Sequence, residues 1–590
     1  MITLDMYHHY LQSISSSLFR LAAYVFLRVI PTSLAKPVLP GLYLFHLLAL
    51  YLSPSPPVTY GWEQKQPTEQ RAPPAYTWKQ KQPTNQRAPL TVLAFSLPSH
   101  SRILNVINVF INSLLLLAAA DLAFSPLLDP AHDISFSRVG AVYPDAAKIV
   151  VRAPFQYDFL HILYRDTTSP DLPWIDGPSL NLLPQNDWAH TVRLDNLWPS
   201  TPYECLSLLF PPLFHLAHLP TDVLATSNRS ILPDLSHPVR FRTFPDPRIN
   251  SNSHFRFIAS SCVTPNFPYD GPLHRPNIPG FDLLAHYLSN SVTDFMIFLG
   301  DFIYADVPIY FGDHQEAYRR LYRRNYQSPS FKKVYQQLRM YSLSFLILSN
   351  PSLAIIHAYD DHEFINNYVG NAQDLPPFKN ASNAYNIYAA SANYDSPLPA
   401  QHFYDFQHGD VAFFVMDTRR YRTPPSHQPS TMLGDLQLSA LHKWLHKVNH
   451  TSSFKFIVSS VPFTSLWTHD AQIDSWAAYP AEKSTLLAAF HSVPNIVIIS
   501  GDRHEFASIE FSSANPNHHL VREISTSPLS MFYIPFIHTL RPQSDAGFTR
   551  NGSEQVIPYE RAVAYIPNGN SKWYEILTDA IILFDFLFSS

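Results

Sequence analysis

From about Ser253 onward the chain repeats one pattern: a short, nearly all-apolar run that stops abruptly in polar or ionisable residues. "FRFIASSC", "DFMIFLGD", "SLAIIHAYDD", "VAFFVMDT", "FKFIVSS" and "NIVIISGD" all have it. Apolar runs of this length without polar alternation predict strands buried on both faces. Between several of them lie segments with helical spacing of apolar residues, such as "LSALHKWLHKV". Strands alternating with helices predict an α/β sheet whose functional groups gather at the strands' carboxyl ends.

Residues 134–247 read differently. Short alternating strands such as "KIVVRAP" and "VRFRTF" predict an all-β unit. Within it "VRLDNLWPSTPYEC" resembles the Leu-x-Pro-x-Thr-x-Tyr corner of fibronectin type III and immunoglobulin-like sandwiches, with Leu197, Pro199, Thr201 and Tyr203 in register. Trp198 and Pro202 fill the free positions, and the resemblance implies that the tyrosine hydroxyl bonds back to the turn.

The first 125 residues differ again. "SLFRLAAYVFLRVIPTSLA" is long enough to span a bilayer but carries Arg20 and Arg28. "VLPGLYLFHLLALYL" has fifteen residues, against the ~20 a spanning helix needs. Residues 103–124, "ILNVINVFINSLLLLAAADLAF", fit best despite Asn105, Asn108, Asn112 and Asp121. Two or three membrane segments are expected; a cleaved signal peptide fits less well, because a basic start and a small-residue cleavage site are missing. Between the segments "WEQKQPTEQRAP" from Trp62 returns as "WKQKQPTNQRAP" from Trp78, a period of sixteen. Its composition predicts a disordered basic loop. Lys65, Arg71, Lys79, Lys81, Arg87 and Arg102 precede the third segment, and little positive charge comes after it before Arg138. That asymmetry predicts a cytosolic loop and a lumenal or extracellular position for the domains C-terminal to residue 125.

The domain plan is therefore an anchor region at 1–125, with the repeat loop at about 60–90, a sandwich at 134–247, an α/β unit at 253–545, and a C-terminal tail at 546–590. A length of 590 residues suits two or three such units. A net charge of −5 leaves no basic footprint for nucleic acid. Two cysteines exclude a disulfide scaffold and a Cys-rich zinc site, so Cys205 reads as a buried free thiol.

Four strand ends carry the chemistry: "SSC" at Cys262, "GDFIY" at Asp301 to Tyr304, "YDDHEFINN" at Asp360 to Asn367, and "SGDRHEF" at Asp502 to His504. Asp360, Asp361, His362 and Glu363 stand side by side, and burying them needs a counter-charge. One such end reads as solvated loop. Four in order read as ligands converging on a cation, carboxylates being able to bridge two metals.

The ordered set resembles the metallophosphoesterase superfamily and, within it, the alkaline phosphatase D (PhoD-like) family. The superfamily pattern runs Asp-x-His, Gly-Asp-x-x-Asp, Gly-Asn-His-Glu, His and Gly-His-x-His. The PhoD-like variant has Ser-Cys, Gly-Asp-x-x-Tyr, Asp-Asp-His-Glu and Gly-Asp-x-His, and this chain follows it at all four. The resemblance implies a metallophosphoesterase-type β-sandwich flanked by helices. It also implies a multinuclear site in which Asp301 bridges two metals, and Cys262 and Tyr304 bind one redox-capable ion, ferric iron. Asp360, Asp361, Asn367, Asp502 and His504 complete the cluster, with calcium or another divalent metal on the oxygen-rich side. On that resemblance the metals would supply an activated water, and His362 would protonate the leaving oxygen of a phosphate mono- or diester. Against these roles stand plainer ones: a core thiol for Cys262, a packed aromatic for Tyr304, and a partner that only orients Asp361 for His362. Arg319, in "AYRRLYRRNY", is the expected phosphate clamp, its alternative a helix surface charge.

Two features depart from the pattern. Where the superfamily has its fourth-motif histidine this chain has "FKFIVSSVPF", as PhoD-like proteins also tend to. The apolar "RMYSLSFLILSN" at 339–350 is either a buried insertion or translated intron, and the tail "DAIILFDFLFSS" ends without a clear cap. The reading from another class is a membrane-tethered adhesion or scaffold protein with an inactive phosphatase-like domain.

Overall fold

The computed structural model describes residues 2–33, 35–52, 60–65, 75–80, 88–97, 99, 101–154, 159–169, 171–210, 238–249, 255–272, 276–336, 352–526, 528–532, 538–549, 555–567, 574–576 and 584–586. The apolar interruption at 339–350 and most of the final twelve residues lie outside them. The chain forms two compact units, Met1–Ser125 and Pro126–Ser590.

The first unit holds α1 (Ile2–Arg28), α2 (Ala35–Leu52), β1 (Tyr60–Lys65), β2 (Ala75–Gln80), α3 (Pro89–Ala94) and most of α4 (Arg102–Leu128). By length and composition α2 and α4 could each cross a membrane. Helix α2 starts three residues before the fifteen-residue apolar run. The repeat is not wholly the disordered loop its composition predicted. Trp62 and Trp78, which open the two copies, pair directly across an antiparallel hairpin.

The polar residues of α1 and α4 satisfy one another. Arg20 Nε donates to Asn112 Oδ1 at 2.7 Å, Arg20 Nη2 to Asn108 Oδ1 at 3.0 Å, and Asn112 Nδ2 to Ser16 Oγ at 2.7 Å. Leu21, Tyr24, Ile103, Val106, Phe110 and Leu117 are exposed. The polar groups thus meet between α1 and α4 while apolar side chains of both helices are exposed.

The second unit begins with β3 (Phe136–Val142), β4 (Ala147–Arg152), β5 (Phe159–Asp166), β6 (Ile175–Asn181), β7 (Ala189–Leu194), β8 (Pro202–Phe210) and β9 (Val239–Arg242). They make two antiparallel sheets, ordered β3-β4-β7 and β6-β5-β8-β9. Ile149, Val151 and Val192 of one sheet and Leu160, Ile162 and Cys205 of the other share a buried core. The corner forms as its residues imply: Trp198 N donates to Tyr203 Oη at 2.9 Å. Both cysteines are free and buried.

Next come β10 (Phe257–Val263), α5 (Pro279–Asn290), β11 (Phe295–Phe298), α6 (Gln315–Gln327), α7 (Pro329–Gln336), β12 (Ala354–His357), α8 (Phe378–Tyr388), β13 (Tyr404–His408) and β14 (Val411–Val415). After them run α9 (Gly434–Val448), β15 (Phe454–Ser459), α10 (Ala471–Asp474), α11 (Pro480–His491), β16 (Ile496–Ser500), β17 (Phe506–Phe511), β18 (Val521–Ser525) and β19 (Pro528–Ser530). Then come β20 (Gly547–Thr549), β21 (Val556–Pro558) and β22 (Glu560–Ile566). A parallel sheet, β12-β11-β10-β19, faces a mixed one, β13-β14-β15-β16-β18-β17-β22. The edge strand β22 lies beyond residue 545, where the sequence pattern ends this domain; its pairing with β17 carries the fold further.

Alternation explains the layering. In β11, Phe295 and Ile297 point to the other sheet, while Met296 and Phe298 pack with α5 and α7 residues such as Phe281 and Phe331. In β14, Phe413 joins the inter-sheet core, and Phe414 packs with Trp444 of α9. Edge-on ring pairs Phe257–Phe413 and Phe295–Phe406 close the space between sheets. The result is a helix–sheet–sheet–helix stack with the ends of β10, β11, β12, β15 and β16 at one edge.

Candidate metal centre

Two glycines bring those strand ends together. A Cβ on Gly300, whose φ is +111°, would sit 2.6 Å from Asp360 Cβ, so only glycine lets the β11 and β12 ends approach. A Cβ on Gly501 would lie 3.1 Å from both Ser261 Cβ and Ser460 O, which places the ends of β10, β15 and β16 around one point.

The backbone is strained there. Cys262 (φ +57°), Asp301 (+57°), Asn367 (+58°), Asp502 (+74°) and His504 (+56°) all occupy the left-handed region. Asp and Asn tolerate it; Cys and His rarely adopt it, and such outliers collect at functional sites.

The four adjacent ionisable groups each have a different fate. Asp360 Oδ1 accepts from Arg419 Nε at 2.5 Å and Ser460 Oγ at 2.7 Å. Asp361 Oδ2 accepts from Asn367 N at 2.6 Å. His362 Nδ1 lies 2.7 Å from Asp306 Oδ1. Glu363 is a brace, its carboxylate accepting from the amides of Asp301, Phe302 and Asp360. Burial pushes the Glu363 carboxyl up to about 8.

Asp301 stands between two donor sets. Its Oδ2 accepts from Cys262 Sγ at 3.4 Å and Tyr304 Oη at 3.1 Å, and Tyr304 Oη lies 3.1 Å from His504 Nε2. Ligand atoms of Cys262, Asp301 and His504 fall within 4.8 Å of one another, as do those of Asp301, Asp360, Asp361 and Asp502. Asp301 belongs to both sets. Burial raises the Cys262 thiol and the Tyr304 phenol well above their usual ranges, with Asp301 adding to it. Burial, helped by Arg503, lowers His504 to about 3, so its imidazole is neutral, the form that binds metal.

Asp301 Oδ1, Asp360 Oδ2 and Asp361 Oδ1 are buried with no hydrogen-bond partner. Burial raises Asp301 and Asp502 well above the carboxylate range, and the neighbouring carboxylates add to it. Orphaned carboxylate oxygens cost several kcal/mol each unless a cation takes them. The donor set therefore fits a metal cluster: thiol, phenol and imidazole on one side of Asp301, carboxylates on the other.

A family model described as PhoD-like phosphatase matches residues 257–571, more than half of the chain. The chain belongs to the PhoD-like phosphatase family. Its fold is that of a solved structure of PhoD, with a TM-score of 0.50 at 17% identity over 67% of this chain and 77% of that one. A purple acid phosphatase from yellow lupin (Lupinus luteus) seeds aligns at a TM-score of 0.45 and 12% identity, over 69% of this chain and 67% of that one. No curated protein matches the chain significantly. As a PhoD-like phosphatase it is a hydrolase of phosphoric ester bonds, and its buried Asp/His cluster is consistent with metal-dependent hydrolysis.

Eight of the expected site residues meet in this phosphatase's cluster: Cys262, Asp301, Tyr304, Asp360, Asp361, His362, Asp502 and His504. Asn367 joins through its backbone amide. Arg319 is placed elsewhere. Its Nη2 donates to Gln185 O at 2.6 Å and Asn383 Oδ1 at 2.7 Å, tying α6 to the sandwich and to α8. Its neighbour Arg323 does the same through Asp187, at 2.7 Å. The basic face of α6 is a docking face because Asp187 lies opposite.

Sequence reading missed Asp306, Arg419, Ser460 and Asp474. Asp306 was discoverable: it lies two residues after Tyr304 in an acidic turn. Arg419 and Asp474 follow no motif by spacing; only the folded chain brings their loops to the site.

Proposed function

We propose that this PhoD-like phosphatase is a membrane-anchored metallophosphoesterase acting on phosphate mono- or diesters, with residues 253–545 and the strand beyond them as the catalytic part and 134–247 as a sandwich ahead of it. The observation that carries the metal reading is the convergence of three buried carboxylate oxygens that accept no hydrogen bond, on Asp301, Asp360 and Asp361. Cys262, Asp301, Tyr304 and His504 would hold ferric iron, the thiolate and phenolate suiting a redox-capable ion. Asp301, Asp360, Asp361 and Asp502, with Asn367 beside them, would hold calcium or another divalent cation. When bound, the metals acidify water and neutralise phosphate oxygens.

The chain's own residues then divide the remaining work. Asp306 occupies His362 Nδ1, which leaves Nε2 to donate a proton to the leaving oxygen. Against the opposing effect of burial, the Asp306 carboxylate at hydrogen-bond distance from Nδ1 raises the His362 pKa and favours the protonated ring that an acid needs. Metal analysis and paired monoester and diester assays on the purified chain test the reading. Cys262→Ser should lower iron content, visible charge-transfer absorbance and activity together. Unchanged iron would make Cys262 structural.

Membrane anchoring is supported by the apolar exteriors of α1 and α4 around the Arg20–Asn112 pair. The positive charges of the loop support a lumenal or extracellular position for the catalytic part. Digestion of that part by protease added to the cytosolic face of sealed membranes would reverse the orientation.

A further inference from the structure

Arg419 is completely buried beside the carboxylates, and each of its three guanidinium nitrogens donates to one of them. Nε donates to Asp360 Oδ1 at 2.5 Å; Nη1 and Nη2 donate to the two oxygens of Asp474 at 2.7 and 2.9 Å; Nη2 lies 3.5 Å from Asp361 Oδ1. Asp474 Oδ1 also accepts from Arg422 Nη1 at 2.6 Å. The loop that carries Arg419 is pinned too, since Asp417 Oδ1 accepts from the amides of Arg419 and Arg420 at 3.1 and 3.0 Å. Ser460, at the β15 end where the superfamily pattern has a histidine, donates to the same Asp360 Oδ1.

The geometry has one consequence for Asp360. Its Oδ1 is saturated by two donors and its Oδ2 is buried without any. Turning the carboxylate to offer both oxygens would break the bonds to Arg419 and Ser460. A planar fork clamped on Asp474 resists that rotation in a way that a flexible ammonium cannot. The guanidinium also places one positive charge among Asp360, Asp361 and Asp474. Its hydrogen bonds and ion pairs run to those residues and not to Cys262, Tyr304 or His504.

We propose that Arg419, seconded by Ser460, is a positioning residue that holds Asp360 as a one-oxygen ligand and thereby maintains the carboxylate-side cation site without serving the Cys262 side. The inference rests on the two-sided metal reading above.

The test uses the full-length chain in detergent as wild type, Arg419→Lys and Ser460→Ala. Metal content by elemental analysis, the charge-transfer band, and calorimetric titration with Ca²⁺ and with Mn²⁺ are the readouts. Loss of a group that orients a ligand weakens metal binding by ~10–100-fold. Arg419→Lys should do so for the titrated cation, with iron content and the band unchanged, and Ser460→Ala should do so to a smaller degree. Should Arg419→Lys fail to fold, Ser460→Ala decides, because it removes one oxygen and leaves the Arg419–Asp474 pair. Wild-type affinity in the folded variants, or equal loss of iron and of the titrated cation, overturns the inference. A wild type that binds no second cation overturns the metal reading and takes this inference with it.

Discussion

Two runs of ionisable residues invite comparison, "YDDHEF" at 359–364 and "YRRLYRRNY" at 318–326. Both offer groups that suit a phosphate site, and both are largely buried. In the first, neighbours in sequence take different partners around one point: Arg419 for Asp360, Asp306 for His362, backbone amides for Glu363. In the second, Arg319, Arg323 and Arg324 take Gln185 O, Asp187 and Asp129 O, all on or beside the sandwich. The difference lies in the supporting element. A run past a buried strand's end enters the edge where other strand ends converge, whereas a run on a helix faces whatever packs there.

The largest effect should come from His362→Ala. Loss of a general acid costs ~10²–10⁴ in rate. Turnover should fall by that much with both metals retained, and fall most for substrates with poor leaving groups. Equal loss for every leaving group would remove the acid role; loss of metal would make His362 a ligand.

Asp306→Asn should come next, at ~10–100-fold in kcat, the cost typical of a partner that orients a site group. It also has a signed pH effect. The Asp306 carboxylate raises the pKa of His362 and favours its charged form. Without that charge the folded-state pKa drops, so the protonated acid is lost at lower pH. The alkaline limb of the kcat profile should therefore move to lower pH. An unmoved limb beside a reduced kcat would make Asp306 merely a packing residue.

The comparison also explains what could be read from the chain. Cys262 lies at the end of β10, and Asp301, Tyr304 and His504 lie shortly past β11 and β16, so their convergence at one sheet edge was legible from the strand-end pattern. The period-two split of Phe295, Met296, Ile297 and Phe298 between two cores was not legible, because all four are apolar. Nor was the Arg419–Asp474 pair, 55 residues apart, whose loops have no shared pattern. Arg319 shows the opposite limit of local sequence reading. Its residue type was right for a clamp, but nothing local shows that Gln185 O and Asn383 lie across from it.

Arg319→Ala tests that last point directly. Removing its two hydrogen bonds should lower stability by about 1–2 kcal/mol, below the ~1.5–3 kcal/mol that each bond from a charged donor can contribute, because the Gln185 contact is exposed and water can replace the lost donor. KM and kcat should not change. A raised KM at unchanged stability would return Arg319 to the substrate site and erase the contrast between the two runs.

Tyr203→Phe should give the smallest effect and marks the far end of the comparison, a motif whose work is confined to its own fold. Tyr203 Oη accepts from Trp198 N at 2.9 Å, and the ring is buried against Phe241. Phenylalanine keeps the ring and deletes only the acceptor. The Trp198 amide then lies beside an exposed side chain, where water can replace the lost oxygen. The net cost of one such hydrogen bond is about 1 kcal/mol. Denaturant unfolding should register that loss while turnover, metal content and the pH profile stay as in wild type. No change in stability would mean that the corner's hydroxyl is dispensable here. A fall in turnover would instead mean that the sandwich braces the metal edge, through contacts such as Arg323–Asp187, and that the two regions cannot be treated apart.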